Sequence, residues 1–415
     1  MPPKVLLLSS VGWPSVARLA GGFVHANCTV DALAPPGAAI LASRYLARWH
    51  RYRALFPLAS MEAAIAAASP DLLVCCEDRS LAQLLALHAR RADDRQFAAL
   101  VERSLGNPSA ISRLISRSGF MAEARAEGIR VPDTFPLANE GALDDALAAL
   151  GLPVVLKSDG SWGGEGVVLA RTAGEARAAF ARLSRSPSRI RSLARTFRRR
   201  DIHYLHEAVA PETRIVSAQR FVSGLPAASA FAAWRGGVAG AIYYDVLVAE
   251  DSIGPPSVIR RVDCPQIHGA TMKIARRFGL SGIHGMDFIR DAQGDVHLIE
   301  INPRATQGST LAFGPGRDLP AALACCLVPD ARPRPAIASD LVAFFPREWK
   351  RDPLSPYLNT AHQDVPWDDP AVLLASLGVP VPPRARRAPA SLPAKDALQD
   401  ATACTGTARP STSSG

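Results

Sequence analysis

The chain has 415 residues, of which 48% are hydrophobic and 20% are charged. That length exceeds one compact core and predicts two or three domains, while the composition excludes collagen-like, coiled-coil and wholly disordered chains. No run approaches the ~18 apolar residues that cross a bilayer, and the apolar stretch near the N-terminus is too short for a signal peptide. We therefore expect a cytoplasmic protein without a membrane segment.

The formal net charge of +9 comes mostly from arginine, since the chain contains only five lysines. A basic balance suggests nucleic acid as a partner, but the densest basic stretch, residues 182–200, holds a single aromatic residue on which a base could stack. We expect that stretch to be a solvated face or a contact for an acidic ligand, and nucleic acid is not predicted as a partner. The seven cysteines form no Cys-x-x-Cys pair, so buried thiols are expected and a zinc site is not.

The first 105 residues alternate short apolar runs with helix-like stretches, which predicts βαβ units and a parallel sheet. The expected strands cover residues 5–9, 28–34 and 71–76, and the expected helices reach residue 18 and cover 81–90. Ligands of such sheets collect at the carboxyl ends of the strands. Residues 9–12, Glu77 and Asp78 are therefore candidates for a substrate-binding rim.

The rest of the chain divides into helical and strand-rich stretches. We expect helices within residues 107–135 and over 266–278, strands at 153–157, within 202–248 and at 340–345, and a hairpin over 285–304. From about residue 379 the composition changes to Pro, Arg, Ala, Ser and Thr, which cannot bury enough apolar surface to become ordered. Residues 379–415 are therefore expected to be a disordered tail.

A glycine-rich loop follows the predicted strand that carries Lys157. Four glycines occur within seven residues there: Gly160, Gly163, Gly164 and Gly166. Glycines let backbone N–H groups approach an anion closely, and a lysine adds a positive charge. The segment therefore predicts a cover for nucleotide phosphates, although it is not a Walker A loop. The alternative is a flexible hairpin turn, which needs only one or two glycines.

The predicted hairpin brings two carboxylates together. If the chain turns at Gln293–Gly294, Asp287 lies opposite Glu300, with Cβ atoms ~4.5–5.5 Å apart, and Asn302 points to the same face. Opposed carboxylates are destabilising unless a cation lies between them, and hard oxygen ligands select Mg²⁺ or Mn²⁺. A metal site is predicted, with an exposed hairpin that has a polar face as the alternative.

A glycine-rich phosphate cover followed by a hairpin that ends in Glu-x-Asn-Pro-Arg resembles the ATP-grasp superfamily, which includes biotin carboxylase, the large subunit of carbamoyl-phosphate synthetase and D-alanine–D-alanine ligase. The resemblance covers about residues 107–325 and implies a mixed α/β fold, with an N-terminal Rossmann-like pre-ATP-grasp domain before a two-lobe ATP-grasp domain. The implied boundaries are 1–105 for the first domain, 106–328 for the ATP-grasp domain (glycine-rich lobe about 130–208, metal-binding lobe about 209–328), 329–378 for a C-terminal extension and 379–415 for the tail.

The resemblance also implies roles for individual residues around ATP. Lys157 contacts the α- and β-phosphates, and the loop from Gly160 to Gly166, with Gly163 and Gly164, covers them. Arg117 stands where the family often has a phosphate-binding lysine and can still hold a phosphate. The implied adenine and ribose contacts are Glu207, the backbone near Val209, and Glu212.

At the metal hairpin, the resemblance implies that Asp287, Glu300 and Asn302 are the metal ligands. Arg304 is the implied catalytic residue, which steadies the transferred phosphoryl group. The implied cofactors are ATP and Mg²⁺ (or Mn²⁺).

The activity implied is that of an ATP-dependent carboxylate–amine ligase. ATP activates a substrate carboxylate as an acyl phosphate, and an amine or another nucleophile then displaces phosphate. The expected partners are small-molecule carboxylates and amines, and an oligomer is compatible with the sequence. Two alternatives stay open on the same fold, a carboxylase or kinase variant and a non-catalytic nucleotide-binding or regulatory protein, and a Rossmann oxidoreductase is more distant.

Overall fold

The computed structural model describes residues 1–158, 166–185, 215–250 and 254–381, which form three β-sheets with flanking helices. Within these residues no helix is both long and apolar enough to cross a membrane. Four of the cysteines are buried free thiols (Cys28, Cys75, Cys76 and Cys264), as expected, whereas Cys325 is exposed.

The N-terminal sheet has four parallel strands in the order β3-β2-β1-β4, which confirms the predicted parallel α/β unit. Its elements are β1 (Lys4–Leu8), α1 (Pro14–His25), β2 (Thr29–Ala34), β3 (Arg48–Arg51), α2 (Pro57–Ala68), β4 (Leu72–Cys75), α3 (Asp78–Arg90) and α4 (Arg95–Leu105). The strand order reverses between β1 and β4, and such a switch point opens a crevice at the carboxyl ends of the strands. β3, α2 and α4 were not expected from the sequence, and α1 extends well past residue 18.

Two helices, α5 (Pro108–Ile115) and α6 (Arg117–Ala126), account for the predicted helical block. Asn107 caps α5, because its side-chain oxygen accepts a hydrogen bond from the Ser109 backbone N–H at 2.9 Å. Ser116 separates the two helices in an extended conformation, so Arg117 is the first residue of α6. This position directs Arg117 toward the second sheet.

The second sheet is small and antiparallel, with the strand order β5-β8-β6-β7. Its elements are β5 (Thr134–Leu137), α7 (Glu140–Leu150), β6 (Val154–Ser158), β7 (Val167–Ala170), α8 (Ala173–Leu183) and β8 (Val216–Arg220). Both helices pack on one face of the sheet around a separate apolar core. Val154 and Leu156 of β6 point into this core, so Lys157, between them and the strand end, points to the other face of the sheet.

The third sheet has seven strands in the order β13-β12-β9-β10-β11-β14-β15. Its elements are β9 (Leu225–Trp234), β10 (Gly237–Ala249), β11 (Pro256–Arg261), α9 (Pro265–Phe278), β12 (Gly282–Arg290), β13 (Val296–Asn302), α10 (Leu319–Cys325), β14 (Leu341–Ala343) and β15 (His362–Gln363). Helix α9 covers one face, while α10 covers the other together with α1 of the N-terminal sheet. The apolar core on each face of the third sheet also contains side chains of the N-terminal sheet, so the two sheets share both cores.

The residues after 328 continue the third sheet and return to the N-terminal sheet. They carry α11 (Arg347–Arg351), α12 (Tyr357–Thr360) and α13 (Pro370–Ser376) in addition to β14 and β15. Arg18 of α1 forms an ion pair with Asp364, and the Ser43 hydroxyl donates a hydrogen bond to the Asp369 carboxylate at 2.5 Å. This segment therefore joins the two sheets. The boundaries of the domains and lobes remain predictions.

Candidate functional site

Asp287 and Glu300 face each other across the hairpin of β12 and β13, in the predicted register. Gly285 pairs with Asn302 in the same ladder, so Asn302 lies two residues from Glu300 on the same face. The Asn302 side-chain amide donates a hydrogen bond to Asp287 Oδ2 at 2.8 Å. The structure thus brings all three predicted metal ligands together.

The predicted two-residue turn at Gln293–Gly294 is wrong. The strands close at Asp291 and Asp295, whose backbones are hydrogen-bonded at 2.9 Å, and three residues form the loop. Gly294 adopts a φ of 84°, in the left-handed region that glycine accepts at little cost. This longer loop shifts the pairing by one residue, and an irregularity at Ile299 shifts it back before Glu300. The two changes cancel, which explains why the predicted carboxylate pair is still correct.

The two carboxylates have pKa values shifted in opposite directions. Burial, followed by the negative charge of Glu300, raises the pKa of Asp287 to about 6. Burial also acts to raise the pKa of Glu300, but the positive charges of Arg117 and Lys157 outweigh it and hold that pKa below its ordinary value. At neutral pH the pair carries two negative charges of which only Glu300 is well compensated, so the site favours a further cation.

Lys157 and Arg117 approach Glu300 from the small sheet and from α6. The Lys157 ammonium donates a hydrogen bond to the Ile299 carbonyl at 3.2 Å, and its side chain is buried. Arg117 donates to Glu300 Oε1 at 3.0 Å and to the Ser158 carbonyl. Burial lowers the pKa of Lys157, against the opposing attraction of Glu300. Both cations lie beside Ser158, the last described residue before the glycine-rich segment.

Arg304, two residues after Asn302, lies next to the N-terminal sheet. Its Nε and one terminal nitrogen donate to Asp78 Oδ2 at 3.1 and 2.9 Å, and the other terminal nitrogen donates to the Ala305 carbonyl at 3.2 Å. The Ala305 N–H donates to the Cys75 carbonyl at 3.0 Å, which attaches this segment to the end of β4. Burial acts to lower the pKa of Arg304, but Asp78 and the hairpin carboxylates raise it above its ordinary value.

The rim of the N-terminal sheet supplies Asp78 through a helix cap. Glu77 caps α3 by accepting hydrogen bonds from the backbone N–H groups of Ser80 at 3.2 Å and Ser10 at 2.8 Å. This cap fixes Asp78 in the first turn of α3, where the helix dipole favours a carboxylate. Glu77 itself is fully buried. The rim predicted from the sequence therefore reaches the site through Asp78, whose partner Arg304 could not be foreseen.

Several predicted contacts lie outside the described residues. These are Gly160, Gly163, Gly164, Glu207, Val209 and Glu212. Gly166 is described and buried, and its carbonyl accepts a hydrogen bond from the Ser158 N–H at 2.9 Å. Lys157 and Gly166 thus lie close to the two ends of the glycine-rich segment.

The oxygen-rich hairpin fits a hard divalent cation better than a zinc ion. Across the described ranges, no three His, Cys, Asp or Glu side chains lie in one group that could hold a metal. Asp287 and Glu300 supply only two carboxylates, and Asn302 adds an amide. Mg²⁺ is commonly held by one or two carboxylates together with substrate phosphates and water, so this donor set suits a cation that arrives with a nucleotide.

Tyr244 is a site residue that the sequence analysis missed. It lies on β10, two strands from Asp287, and both residues pair with Ala228 of β9. The pKa of Tyr244 is raised by burial and then by Asp287, while Arg304 acts to lower it. The pattern of β10 could have indicated that one of its two adjacent tyrosines is buried, but not that it shares a face with Asp287.

Comparisons with known proteins found similarity in structure only. No protein-family model matches the sequence, and no curated protein is similar to it in sequence. The fold resembles N5-carboxyaminoimidazole synthetase from Staphylococcus aureus complexed with ADP, with 13% identity and a TM-score of 0.56 over 80% of this chain and 79% of that chain.

Two further solved structures are similar. Biotin carboxylase from Campylobacter jejuni, in a complex with β-γ-ATP, has 13% identity and a TM-score of 0.55 over 80% of this chain and 72% of that chain. N5-carboxyaminoimidazole synthase from Aspergillus clavatus, in complex with ADP and 5-aminoimidazole ribonucleotide, has 15% identity and a TM-score of 0.55 over 82% of this chain and 79% of that chain. Both kinds of enzyme are ATP-grasp proteins, and the likeness confirms the predicted ATP-grasp fold with a preceding α/β domain.

Proposed function

We propose that this chain, which has the ATP-grasp fold, is an ATP-dependent ligase that activates a small-molecule carboxylate as an acyl phosphate. The observation that carries the proposal is the arrangement around the hairpin. Asp287 and Glu300 oppose each other, Lys157 and Arg117 contact β13 beside them, and Arg304 follows β13 and is held by Asp78 of the N-terminal sheet. Phosphoryl transfer needs positioned charges more than covalent catalysis, and these residues supply positioned charges.

In this proposal Lys157 and Arg117 bind the nucleotide phosphates. Both are held next to Ser158, at the start of the glycine-rich segment, and Arg117 has the forked geometry that binds phosphate oxygens in pairs. A nucleotide phosphate would replace Glu300 as the partner of Arg117. Gly160, Gly163, Gly164 and Gly166 are proposed to cover the phosphates, and Glu207, Val209 and Glu212 to hold adenine and ribose.

Asp287, Glu300 and Asn302 are proposed to hold Mg²⁺ or Mn²⁺. The bound ion would neutralise charge on the phosphate oxygens during transfer. The chain's own contribution is to keep both carboxylates within reach of one ion. Before a nucleotide binds, Arg117 and Lys157 maintain Glu300 in its ionised form. The unsatisfied charge of Asp287 supports this assignment.

The proposed chemistry has two steps that balance. A carboxylate oxygen of the substrate attacks the γ-phosphorus of ATP, the bond to the β–γ bridging oxygen breaks, and ADP leaves. An amine then attacks the acyl carbon, loses a proton and expels phosphate, which carries away one of the original carboxylate oxygens. Arg304, held by Asp78 at 2.9 Å, is proposed to stabilise negative charge on the transferred group in both steps.

A bicarbonate-using carboxylase is a second candidate function, and one of the structural comparisons supports it. One similar structure is a biotin carboxylase domain with MgADP, ADP and bicarbonate, at 14% identity and a TM-score of 0.56. In this variant bicarbonate takes the place of the carboxylate, and the acceptor nitrogen is carboxylated. Both versions imply small-molecule partners and a cytoplasmic location, and either could work as an oligomer.

Thermal unfolding with different nucleotides tests the proposal. A ligand at 100 times its dissociation constant stabilises a protein by about 2.7 kcal/mol. We expect Mg-ATP and Mg-ADP to stabilise the wild type, and neither to stabilise Lys157→Ala or Glu300→Ala to the same extent. ADP release would then be screened with carboxylates, amines and bicarbonate. Stabilisation by NAD(H) and not by Mg-ATP would contradict the proposal and would direct attention to the N-terminal sheet.

A further inference from the structure

Tyr244 lies in one row with the two hairpin carboxylates. The row runs across three strand pairings, from Glu300 to Asp287, then to Ala228, and then to Tyr244. Residues paired directly across neighbouring strands project from the same face of a sheet. The small side chain of Ala228 is all that separates the phenol ring from the carboxylates within this row.

The packing around Tyr244 fixes the ring closely. Its exposed fraction is 4%, and Gly308 lies directly against it. A Cβ atom at Gly308 would come within 2.7 Å of ring atom Cε1 and 2.9 Å of the hydroxyl oxygen. The ring therefore occupies space that only glycine leaves open, in the short segment after Arg304.

The Tyr244 hydroxyl has no hydrogen-bond partner in the part of the chain that the structure describes. Its oxygen is not fully enclosed by the surrounding side chains, so it stays open to water or to a ligand in the site. Tyrosine hydroxyls that are buried usually find a partner. The adjacent Tyr243 follows this rule, since its hydroxyl lies 2.9 Å from His268 Nδ1 on the opposite face of the sheet. Tyr244 therefore leaves an unused donor inside the site.

The packing of Tyr244 places it on the Arg304 side of the site. Its ring lies against Gly308, four residues after Arg304 in the chain. Burial raises the pKa of Tyr244 far above neutral, so the hydroxyl stays protonated and acts as a donor.

We propose that the carboxyl group of the substrate binds between Tyr244 and Arg304, and that the Tyr244 hydroxyl donates a hydrogen bond to it. The bonded oxygen is the one that does not attack phosphorus, and it becomes the carbonyl oxygen of the acyl phosphate. Tyr244 keeps its proton throughout. The inference rests on the proposed ligase function and identifies where its carboxylate is recognised.

Calorimetric titration of the full chain in two stages tests this inference. Mg-ADP is titrated first. Acetonylphosphonate, in which CH₂ replaces the oxygen between the acyl carbon and phosphorus of acetyl phosphate, is then titrated into protein saturated with Mg-ADP. We expect Tyr244→Phe to keep the wild-type Kd for Mg-ADP within about twofold and to bind acetonylphosphonate about tenfold more weakly, as loss of one hydrogen bond to an anionic ligand predicts.

Tyr243→Phe is the matched control. It removes a hydroxyl from the neighbouring residue on the opposite face, and both dissociation constants should stay at wild-type values. Thermal unfolding checks that the variants fold, and Tyr244→Phe should lose no stability because its hydroxyl has no partner to lose.

Three results would overturn the inference while leaving the nucleotide site in place. They are wild-type affinity of Tyr244→Phe for acetonylphosphonate, equal weakening of both ligands, and no binding of acetonylphosphonate to wild type saturated with Mg-ADP. If the wild type fails to bind Mg-ADP at all, the proposed ligase function fails, and the inference fails with it.

Discussion

Two ionisable side chains of the hairpin make the free energy of unfolding depend on pH. The pKa of Asp287 is raised to about 6 from an ordinary value of 3.8, so the folded chain binds this proton more tightly than the unfolded chain. The contribution of Asp287 to stability is therefore present at low pH and is lost as the pH rises through 6. Glu300, with a lowered pKa, has the opposite dependence at lower pH.

Asp287→Asn should remove this dependence. Without nucleotide or metal, we expect the melting temperature of Asp287→Asn to rise relative to that of the wild type as the pH increases from 5 to 7. Thermal unfolding at several pH values measures this difference. The control is Asp144→Asn, which alters an exposed ion pair with Arg177. Its melting temperature should change with pH in the same way as that of the wild type. Parallel curves for Asp287→Asn as well would show that the Asp287 carboxyl is already ionised at pH 5.

Asp78 is expected to act by positioning Arg304. Asp78→Asn keeps the shape of the side chain but removes the charge that holds the guanidinium. Hydrogen bonds to charged groups contribute about 1.5–3 kcal/mol, so we expect kcat for ADP release to fall about tenfold or more while KM for ATP is unchanged. A rise in KM for ATP with unchanged kcat would instead place Asp78 in nucleotide binding. Asp144→Asn again serves as the control.

At the scale of single elements, close packing between the hairpin and the following segment holds Arg304 in place. A Cβ atom on Gly285 of β12 would lie 2.5 Å from Thr306 Cγ2 and 3.3 Å from the Ser229 carbonyl oxygen. Thr306 follows Arg304 by two residues, so relief of this clash would move the backbone that carries the guanidinium.

Gly285→Ala should therefore lower both stability and activity. Overpacking of this kind costs about 1–3 kcal/mol, measurable by chemical unfolding. The matched control is Gly269→Ala in α9, where a Cβ meets no atom within 4 Å and helix propensity favours alanine by about 1 kcal/mol. If Gly285→Ala is as stable as the wild type, Thr306 can shift freely and the close packing is not a constraint.

The sequence predicted elements whose pattern is local and missed those that depend on distant packing. The turn assumed at Gln293–Gly294 paired Asp287 with Glu300 because its error in loop length cancels against the irregularity at Ile299. Lys157 was predicted from its place at the end of an apolar strand, next to the glycine-rich loop. The partner of Asp78 and the face shared by Tyr244 depend on how the N-terminal and third sheets meet, and no local pattern encodes this. The loop of the hairpin was predicted with the wrong length, and the irregularity at Ile299 hid the error.

At the scale of the whole molecule, the segment after residue 328 connects the third sheet to the N-terminal sheet through side-chain contacts. β14 has three residues and β15 has two, too few to show a strand period, which explains why a role for the segment could not be predicted. Arg18 and Asp364 join α1 to this segment through an ion pair that is mostly buried.

Asp364→Asn should lower the free energy of unfolding and leave nucleotide binding unchanged. Asp364→Asn leaves the positive charge of Arg18 largely buried without a negatively charged partner, and a loss of about 1–3 kcal/mol in the free energy of unfolding is expected. Urea unfolding measures the loss, and the Kd for Mg-ADP should stay at the wild-type value because Asp364 lies outside the site. Weaker binding of Mg-ADP by this variant would show that the segment acts on the site as well as on the fold.

The transfer of ¹⁸O from the carboxylate to phosphate tests the central proposal most directly. Wild-type protein would be incubated with Mg-ATP, an amine and the carboxylate or bicarbonate that promotes ADP release, labelled with ¹⁸O, and the released phosphate would be analysed by mass spectrometry. We predict one ¹⁸O atom in each phosphate, and no labelled phosphate from Lys157→Ala. Phosphate that is unlabelled, with its fourth oxygen taken from water, would contradict an acyl phosphate intermediate and leave an ATPase in its place.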